Sequence, residues 1–256
     1  MTYNIQHGLS ASGRYNLQGA IDVISRIQPD LVGLQEVTRN HPSYNCDDQP
    51  EVIRNGVGIE TGRSWSVTYE REWFTPDRSC LDRGAGTDVE TEGLALMAPD
   101  ALSGVQSFPL INTRLALAAR TARAGPVTVI VTQLASGAAA LPDRVGQISQ
   151  LLPWAAGQGM PRILLGDFNS QPGAAELQPV LAGYLDAWAV ATAAGVARGV
   201  VTGDTRVRGG RIDYVLLASG SEVEVESAEI VDTAALLGAT TEVSDHRPVV
   251  VRFRLR

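Results

Sequence analysis

The chain contains no lysine; all 21 of its basic side chains are arginine. That excludes Schiff-base catalysis and a phosphate-binding P-loop, both of which need a lysine amine. With alanine so abundant, the bias reads as a property of coding rather than of mechanism. Histidine is scarce as well: His7, His41 and His246 are too few for a multi-histidine zinc centre. The two cysteines, Cys46 and Cys80, lack CxxC or zinc-ribbon spacing, so metal binding through sulfur is not expected. No GxxxxGK[ST], HExxH or GxSxG motif occurs, and Gly56-x-Gly58 fails the dinucleotide fingerprint because Thr61 stands where the third glycine belongs. No apolar run approaches the ~18 residues of a membrane span, and Met1-Thr2-Tyr3-Asn4 has neither the basic nor the apolar region of a signal peptide. Membrane insertion is not expected.

What is present is a 256-residue chain, 44% hydrophobic and 19% charged, the balance of a soluble globular protein with a sizeable core. One domain over residues 1–256 is expected, since no repeat, low-complexity tract or linker interrupts it. The net charge of −7 gives no long-range attraction to nucleic acid, although a local basic site remains open. Cys46 and Cys80 have two readings, buried thiols or a disulfide. Their polar, turn-rich surroundings favour the disulfide, and with it an oxidising compartment.

Leu17, Ala20, Ile21, Ile24 and Ile27 recur at three- and four-residue steps until Pro29, which predicts an amphipathic helix over 17–28. The run 31–34 reads as a buried strand. Residues 38–92 form a polar excursion with one strand candidate at 65–69, and such excursions commonly carry specificity. Strands are expected at 93–98, 105–110, 113–119, 127–134, 162–165, 211–217, 222–231 and 247–255. Helices are expected at 142–156, 173–182 and 184–194. Too few helices and too many hairpin-like strand pairs argue against an alternating barrel and for a mixed α/β sandwich.

Oxygen-ligand chemistry is what remains. Asn4, Glu36, Asp167 with Asn169, and Asp245-His246 each stand at a strand end beside a turn, with Arg211-Ile212-Asp213-Tyr214 as a fifth such spot. Singly, an acid there does no more than cap a turn. Strand ends that meet at one rim would gather all of them into one cleft.

The series Tyr3-Asn4-Ile5, Pro29-Asp30-Leu31-Val32-Gly33-Leu34-Gln35-Glu36-Val37, Glu92-Gly93-Leu94-Ala95-Leu96, Val131-Thr132-Gln133-Leu134, Arg144-Val145-Gly146-Gln147, Gly166-Asp167-Phe168-Asn169, Arg211-Ile212-Asp213-Tyr214 and Ser244-Asp245-His246-Arg247-Pro248 resembles the endonuclease/exonuclease/phosphatase superfamily over nearly the whole chain. The resemblance implies a four-layer α/β/β/α sandwich of two packed mixed sheets flanked by helices. It also implies divalent-metal phosphoester hydrolysis by in-line attack of activated water. Hard oxygen ligands suit Mg²⁺ or Mn²⁺, so Glu36 with Asn4 would hold the cation, and Asp245 would join the metal shell or orient the water. Asp167 would orient or deprotonate the water, and Asn169 would bind the phosphate without repelling it. The resemblance pairs His246 with Asp213, which would fix its tautomer.

Two features depart from the family. Gln133 stands where many members carry the histidine of Thr-His-Leu; glutamine donates a hydrogen bond but transfers no proton near neutral pH. Only three residues precede Asn4, which suggests a leader removed or trimmed and, with the cysteines, a secreted or extracytoplasmic protein. The expected activity is that of a phosphodiesterase or nuclease, acting as a monomer on a phosphoester such as DNA or RNA. Arg71, Arg78, Arg83, Arg120, Arg123 and Arg247 are candidates for a local basic patch, although each also reads as a solvated surface arginine. The alternatives are a lipid or small-molecule phosphoesterase, with Trp65, Trp73 and Phe74 as an aromatic tip, and a catalytically attenuated binding protein motivated by Gln133. His7 and His41 read as surface or cleft-lining residues.

Overall fold

The computed structural model describes residues 1–121 and 126–255. Its elements in chain order are β1 (Thr2–Asn4), α1 (Leu17–Ile27), β2 (Val32–Arg39), α2 (Gln49–Thr61), β3 (Ser66–Phe74), α3 (Ser79–Asp82), β4 (Thr91–Ala98), β5 (Ser103–Leu110), β6 (Arg114–Thr121) and β7 (Val127–Gln133). There follow α4 (Leu141–Ala156), β8 (Arg162–Asp167), α5 (Gln178–Gly183), β9 (Tyr184–Asp186), α6 (Ala187–Ala193), β10 (Ala197–Gly199), β11 (Asp213–Ala218), β12 (Val223–Ile230), α7 (Thr233–Leu237) and β13 (Val249–Leu255).

The strands build two mixed sheets, of seven strands in the order β10-β12-β13-β1-β2-β4-β3 and of six in the order β5-β6-β7-β8-β11-β9. The central pair of each sheet, β1 with β2 and β7 with β8, is parallel, and these strands are flanked by antiparallel neighbours. Period-two alternation divides the apolar side chains among three cores. Leu94, Leu96, Val129, Val131, Ile163, Leu165, Val215 and Leu217 meet between the sheets. Val32, Leu34, Ala95 and Met97 face the opposite way, against Ile21 and Ile24 of α1 and Ile53 and Val57 of α2. Ile130, Leu164, Tyr214 and Leu216 cover α4 and α5 through Ile148, Leu151 and Val180. Strands buried on both faces explain the near-continuous apolar runs in the sequence. This is the four-layer sandwich that the resemblance implies.

Several boundaries differ from the sequence reading. The excursion is not mostly irregular, because α2 fills its first half and β3 and the start of β4 complete a sheet edge. The segment expected as a helix over 184–194 opens instead with β9, which pairs with β11 before α6 begins behind the Asp186 N-cap. α7 and β10 were not expected; both are too short to show a period. Cys46 and Cys80 form a disulfide, with Cα atoms 5.6 Å apart, which joins the turn before α2 to α3.

Candidate active site

The strand ends meet at one rim of the sandwich, and the register shows how. Gln133 lies beside Asp167 across the parallel β7–β8 pair, and Asp213 lies beside Asp167 across the antiparallel β8–β11 pair. From the other sheet come Asn4 at the end of β1 and Glu36 in β2. In plain alternation Glu36 would follow Val32 and Leu34 toward the helices. A register shift between Leu34 and Val37, with Glu36 at φ 54°, turns its side chain inward instead.

The two sheets are joined there by hydrogen bonds. The Asn4 side-chain amide donates to Glu36 Oε1 at 2.8 Å and to Asp167 Oδ2 at 3.2 Å, while its Oδ1 accepts the Gln6 backbone N–H at 3.0 Å. Gln133 Nε2 donates to the same Glu36 oxygen at 2.9 Å. Asn169, also in the left-handed region, donates its backbone N–H to Asp167 Oδ1 at 2.9 Å and its amide to Leu134 O at 2.9 Å. His246 Nδ1 lies 2.9 Å from Asp213 Oδ2, with both side chains buried. Asp167, Asp213 and His246 offer ligand-type atoms within 4.8 Å of one another. The closest acid–histidine group among the described residues is therefore a different set from the expected ligands Asn4, Glu36 and Asp245.

Burial drives the electrostatics. It raises the Asp167 carboxyl, helped by the charge of Asp213 and opposed by His246 and the Asn169 N–H, to about 7. Burial alone would push the Glu36 carboxyl up, but His7, the Asn4 and Gln133 hydrogen bonds and His246 bring it below its ordinary value. Asp245 is raised by burial against the pull of His246, and nearby Glu36 adds to the rise. For His246 burial acts downward, and the charge and hydrogen bond of Asp213 overcome it, raising the imidazole to about 10.

A raised folded-state value means that the His246–Asp213 pair stabilises the fold fully below the unfolded value of 6.5 and loses that contribution as pH climbs through about 10. In chelator, the melting temperature is expected to fall across this window, and Asp213→Asn to flatten the fall. An identical slope in wild type and variant would refute the assignment.

Gly166 sets the position of Asp167. At φ 144°, an added Cβ would lie 1.9 Å from Thr132 O in β7. Gly166→Ala is expected to part these strands, cost about 3 kcal/mol and displace Asp167, as read by thermal unfolding together with turnover.

Two participants, Arg114 and Glu72, escaped the sequence reading, and His7 reads there only as surface or cleft-lining. Arg114 donates through one nitrogen to Gln133 Oε1 at 3.0 Å and to the buried Glu72 at 2.9 Å. His7, in the turn after β1, has Nε2 at 3.4 Å from Glu36 and Nδ1 at 3.4 Å from Glu92. Its place three residues after Asn4, just before Gly8, was the available signal. Other expectations change. Arg247 is no solvated arginine, because Glu242 holds it at 2.7 Å. Arg123 lies outside the described residues. Trp65 packs in the core at 4% exposure and forms no aromatic tip, whereas Phe74 is exposed beneath the Arg71 guanidinium.

Solved structures share this architecture. An endonuclease/exonuclease/phosphatase from Beutenbergia cavernae DSM 12333 matches with a TM-score of 0.74 at 22% identity, covering 99% of this chain and 70% of its own. The human Nocturnin catalytic domain, solved with a bound sulfate anion, matches with a TM-score of 0.70 at 21% identity over 99% of this chain and 93% of its own. A mannosyl-6-phosphatase from Bacteroides thetaiotaomicron VPI-5482 matches with a TM-score of 0.65 at 13% identity over 98% and 97% of the two chains. Comparison with curated protein sequences finds no match. The model of the Endonuclease/Exonuclease/phosphatase family matches residues 1–246, from the strand that carries Asn4 to His246 itself, and the chain belongs to that family.

Proposed function

We propose that this protein is a divalent-metal-dependent phosphodiesterase that cleaves nucleic acid as a single-domain monomer. The observation that carries the reading is the cross-sheet junction, where Asn4 binds Glu36 and Asp167 at once beside the buried His246–Asp213 pair.

Asp167 is the base. Asn4 and Asn169 donate to both of its oxygens and hold it in place, and a value near neutrality suits a group that takes a proton from water at physiological pH. His246, kept cationic by Asp213, presents its other ring N–H as a donor to a phosphoryl oxygen. Gln133 has one amide hydrogen beyond the one given to Glu36, and it binds phosphate without serving as an acid. The Asn169 amide is tied to Leu134 O and Asp167, so its part is to orient the base as well as to border the phosphate.

The donor set fits a hard cation. Its groups are carboxylate and amide oxygens, and Glu36 is biased toward its charged form. Glu36, Asp245 and the Asn4 side chain would hold Mg²⁺ or Mn²⁺, which would neutralise the charge that builds on the phosphoryl oxygens. The Cys46–Cys80 disulfide supports an extracytoplasmic location. No helix among the described residues is long and apolar enough to cross a membrane.

The test is nicking of plasmid DNA and cleavage of an RNA oligonucleotide with Mg²⁺, Mn²⁺ or Ca²⁺. Cleavage is expected with Mg²⁺ or Mn²⁺ and is expected to vanish with chelator. Turnover that survives chelation would remove the metal, and turnover confined to phosphomonoesters or lipid esters would replace the nucleic-acid reading.

A further inference from the structure

The family's Thr-His-Leu histidine is missing, and Gln133 offers in its place one spare amide hydrogen and no ring. Its Nε2 is turned to Glu36, and its Oε1 is gripped by Arg114, which the buried Glu72 holds in turn. Glu92, at the start of β4 in the other sheet, has an imidazole beside it. That ring is His7, in the turn after β1, which faces the Glu36 oxygen that Gln133 does not hold.

His7 is held as a working side chain rather than as a loose surface ring. Its backbone sits in the left-handed region at φ 57°, and its carbonyl accepts Gln49 Nε2 at 2.7 Å from the first turn of α2. Its ring lies parallel to Tyr44, with centroids 5.6 Å apart and planes 6° from parallel. Tyr44 is itself stacked with His41 at 4.0 Å and with Tyr15 at 5.5 Å. Both neighbours are anchored, Tyr15 by its hydroxyl on Asp47 at 2.7 Å and His41 beside Glu90 at 3.4 Å, and the disulfide at Cys46 closes the turn that carries Tyr44. The plane of the imidazole is thus set by a ring stack and its edges by two carboxylates. Nδ1 is buried against Glu92, whereas Nε2 stands 3.4 Å from Glu36 and 22% of the side chain is open to solvent. An imidazole held this firmly keeps Nε2 as the nitrogen from which an entering oxygen anion can accept a hydrogen bond.

We propose that His7 contacts the substrate phosphoryl group as a hydrogen-bond donor, taking the place of the ring that Gln133 lacks, and that Tyr44 on the disulfide-closed turn is its positioning residue. This rests on the phosphoesterase reading and adds a substrate contact to it. The phosphate would then be contacted by His246, which precedes β13, and by His7 from the turn after β1.

The experiment measures turnover of bis(p-nitrophenyl) phosphate with Mg²⁺ for wild type, His7→Ala, His7→Gln and Tyr44→Leu. In parallel, the histidine ring ¹H–¹⁵N resonances are followed as inorganic phosphate is added with Mg²⁺. His7→Ala, assayed at saturating Mg²⁺, is expected to raise KM about 10- to 100-fold, the worth of a hydrogen bond to a charged group, with the melting temperature unchanged. His7→Gln, which retains a donor, is expected to recover most of that loss, and Tyr44→Leu to fall between. The His7 resonances are expected to shift with phosphate. Wild-type KM in His7→Ala, an effect seen only as a raised Mg²⁺ requirement, or His7 resonances indifferent to phosphate would overturn the assignment. If His7 responds to phosphate while the wild-type protein hydrolyses no phosphoester, the phosphoesterase reading falls and the anion contact stands.

Discussion

Asp167→Asn is expected to lower kcat about 10²- to 10⁴-fold, the range for losing a positioned general base, with KM changed little. Asparagine keeps the volume and one acceptor oxygen, enough to hold the Asn169 backbone N–H in the pocket between Gln133 and Asp213, while its NH2 replaces the oxygen that accepts from Asn4. What it removes is the ability to take a proton from water. It also removes one of the two carboxylates whose repulsion burial amplifies, so the variant is expected to unfold at the same temperature as wild type or a higher one. Rate and melting temperature moving in opposite directions would separate a chemical role from a structural one. A variant that keeps more than about a tenth of wild-type kcat would show that another group activates the water.

The second large effect concerns the disulfide. Cys46 and Cys80 are 34 residues apart in sequence, and removing a link across a loop of that length is worth about 4 kcal/mol on chain entropy. For a protein of this size, that corresponds to a fall of roughly 8–15 °C in melting temperature. Cys46→Ser with Cys80→Ser, compared with untreated and reduced wild type by calorimetry, checks this. Matching falls in the double variant and the reduced protein are expected. The closed loop contains all of α2 and β3, so the loss falls on an edge of the seven-stranded sheet that also bears Glu72 and the Tyr44 turn. A melting temperature unmoved by either treatment would mean that Ile53, Val57 and Trp65 secure the excursion without help.

The fold was legible where apolar periodicity ran unbroken. The stripe of Leu17, Ala20, Ile21 and Ile24 predicts α1, and the runs at 93–98 and 127–134 predict β4 and β7, because strands buried on both faces need no polar alternation. α2 was hidden. Apart from its first turn it buries only Ile53 and Val57, and it carries Gly56, normally a helix breaker. That glycine is there for packing, since an added Cβ would lie 2.6 Å from Ile21 Cδ1 of α1. A tertiary contact no local window shows thus decided the residue.

The site divides along the same line. Asn4, Asp167, Asp213 and His246 were findable because each ends or starts an apolar strand, and pleat and register then carry them to one rim. Arg114 and Glu72 were not, and His7 was legible only as surface or cleft-lining, because their partners lie far off in the chain. Glu36 is 29 residues from His7, and Glu72 is 42 residues from Arg114. Only the backbone reversal at φ 57° and the closing of the two sheets bring them together.

The cross-sheet bonds have a consequence for how the molecule fails. At the rim the amide of Asn4 reaches Asp167 and that of Gln133 reaches Glu36 across the seam, whereas the middle of the seam is greasy and non-directional. Such layers can slip by an ångström at little cost in burial, whereas polar distances of 2.9 and 3.2 Å across the seam cannot follow. The rim is the part of the structure most sensitive to shear, so heat or pressure should silence it while the cores on either side are still dry.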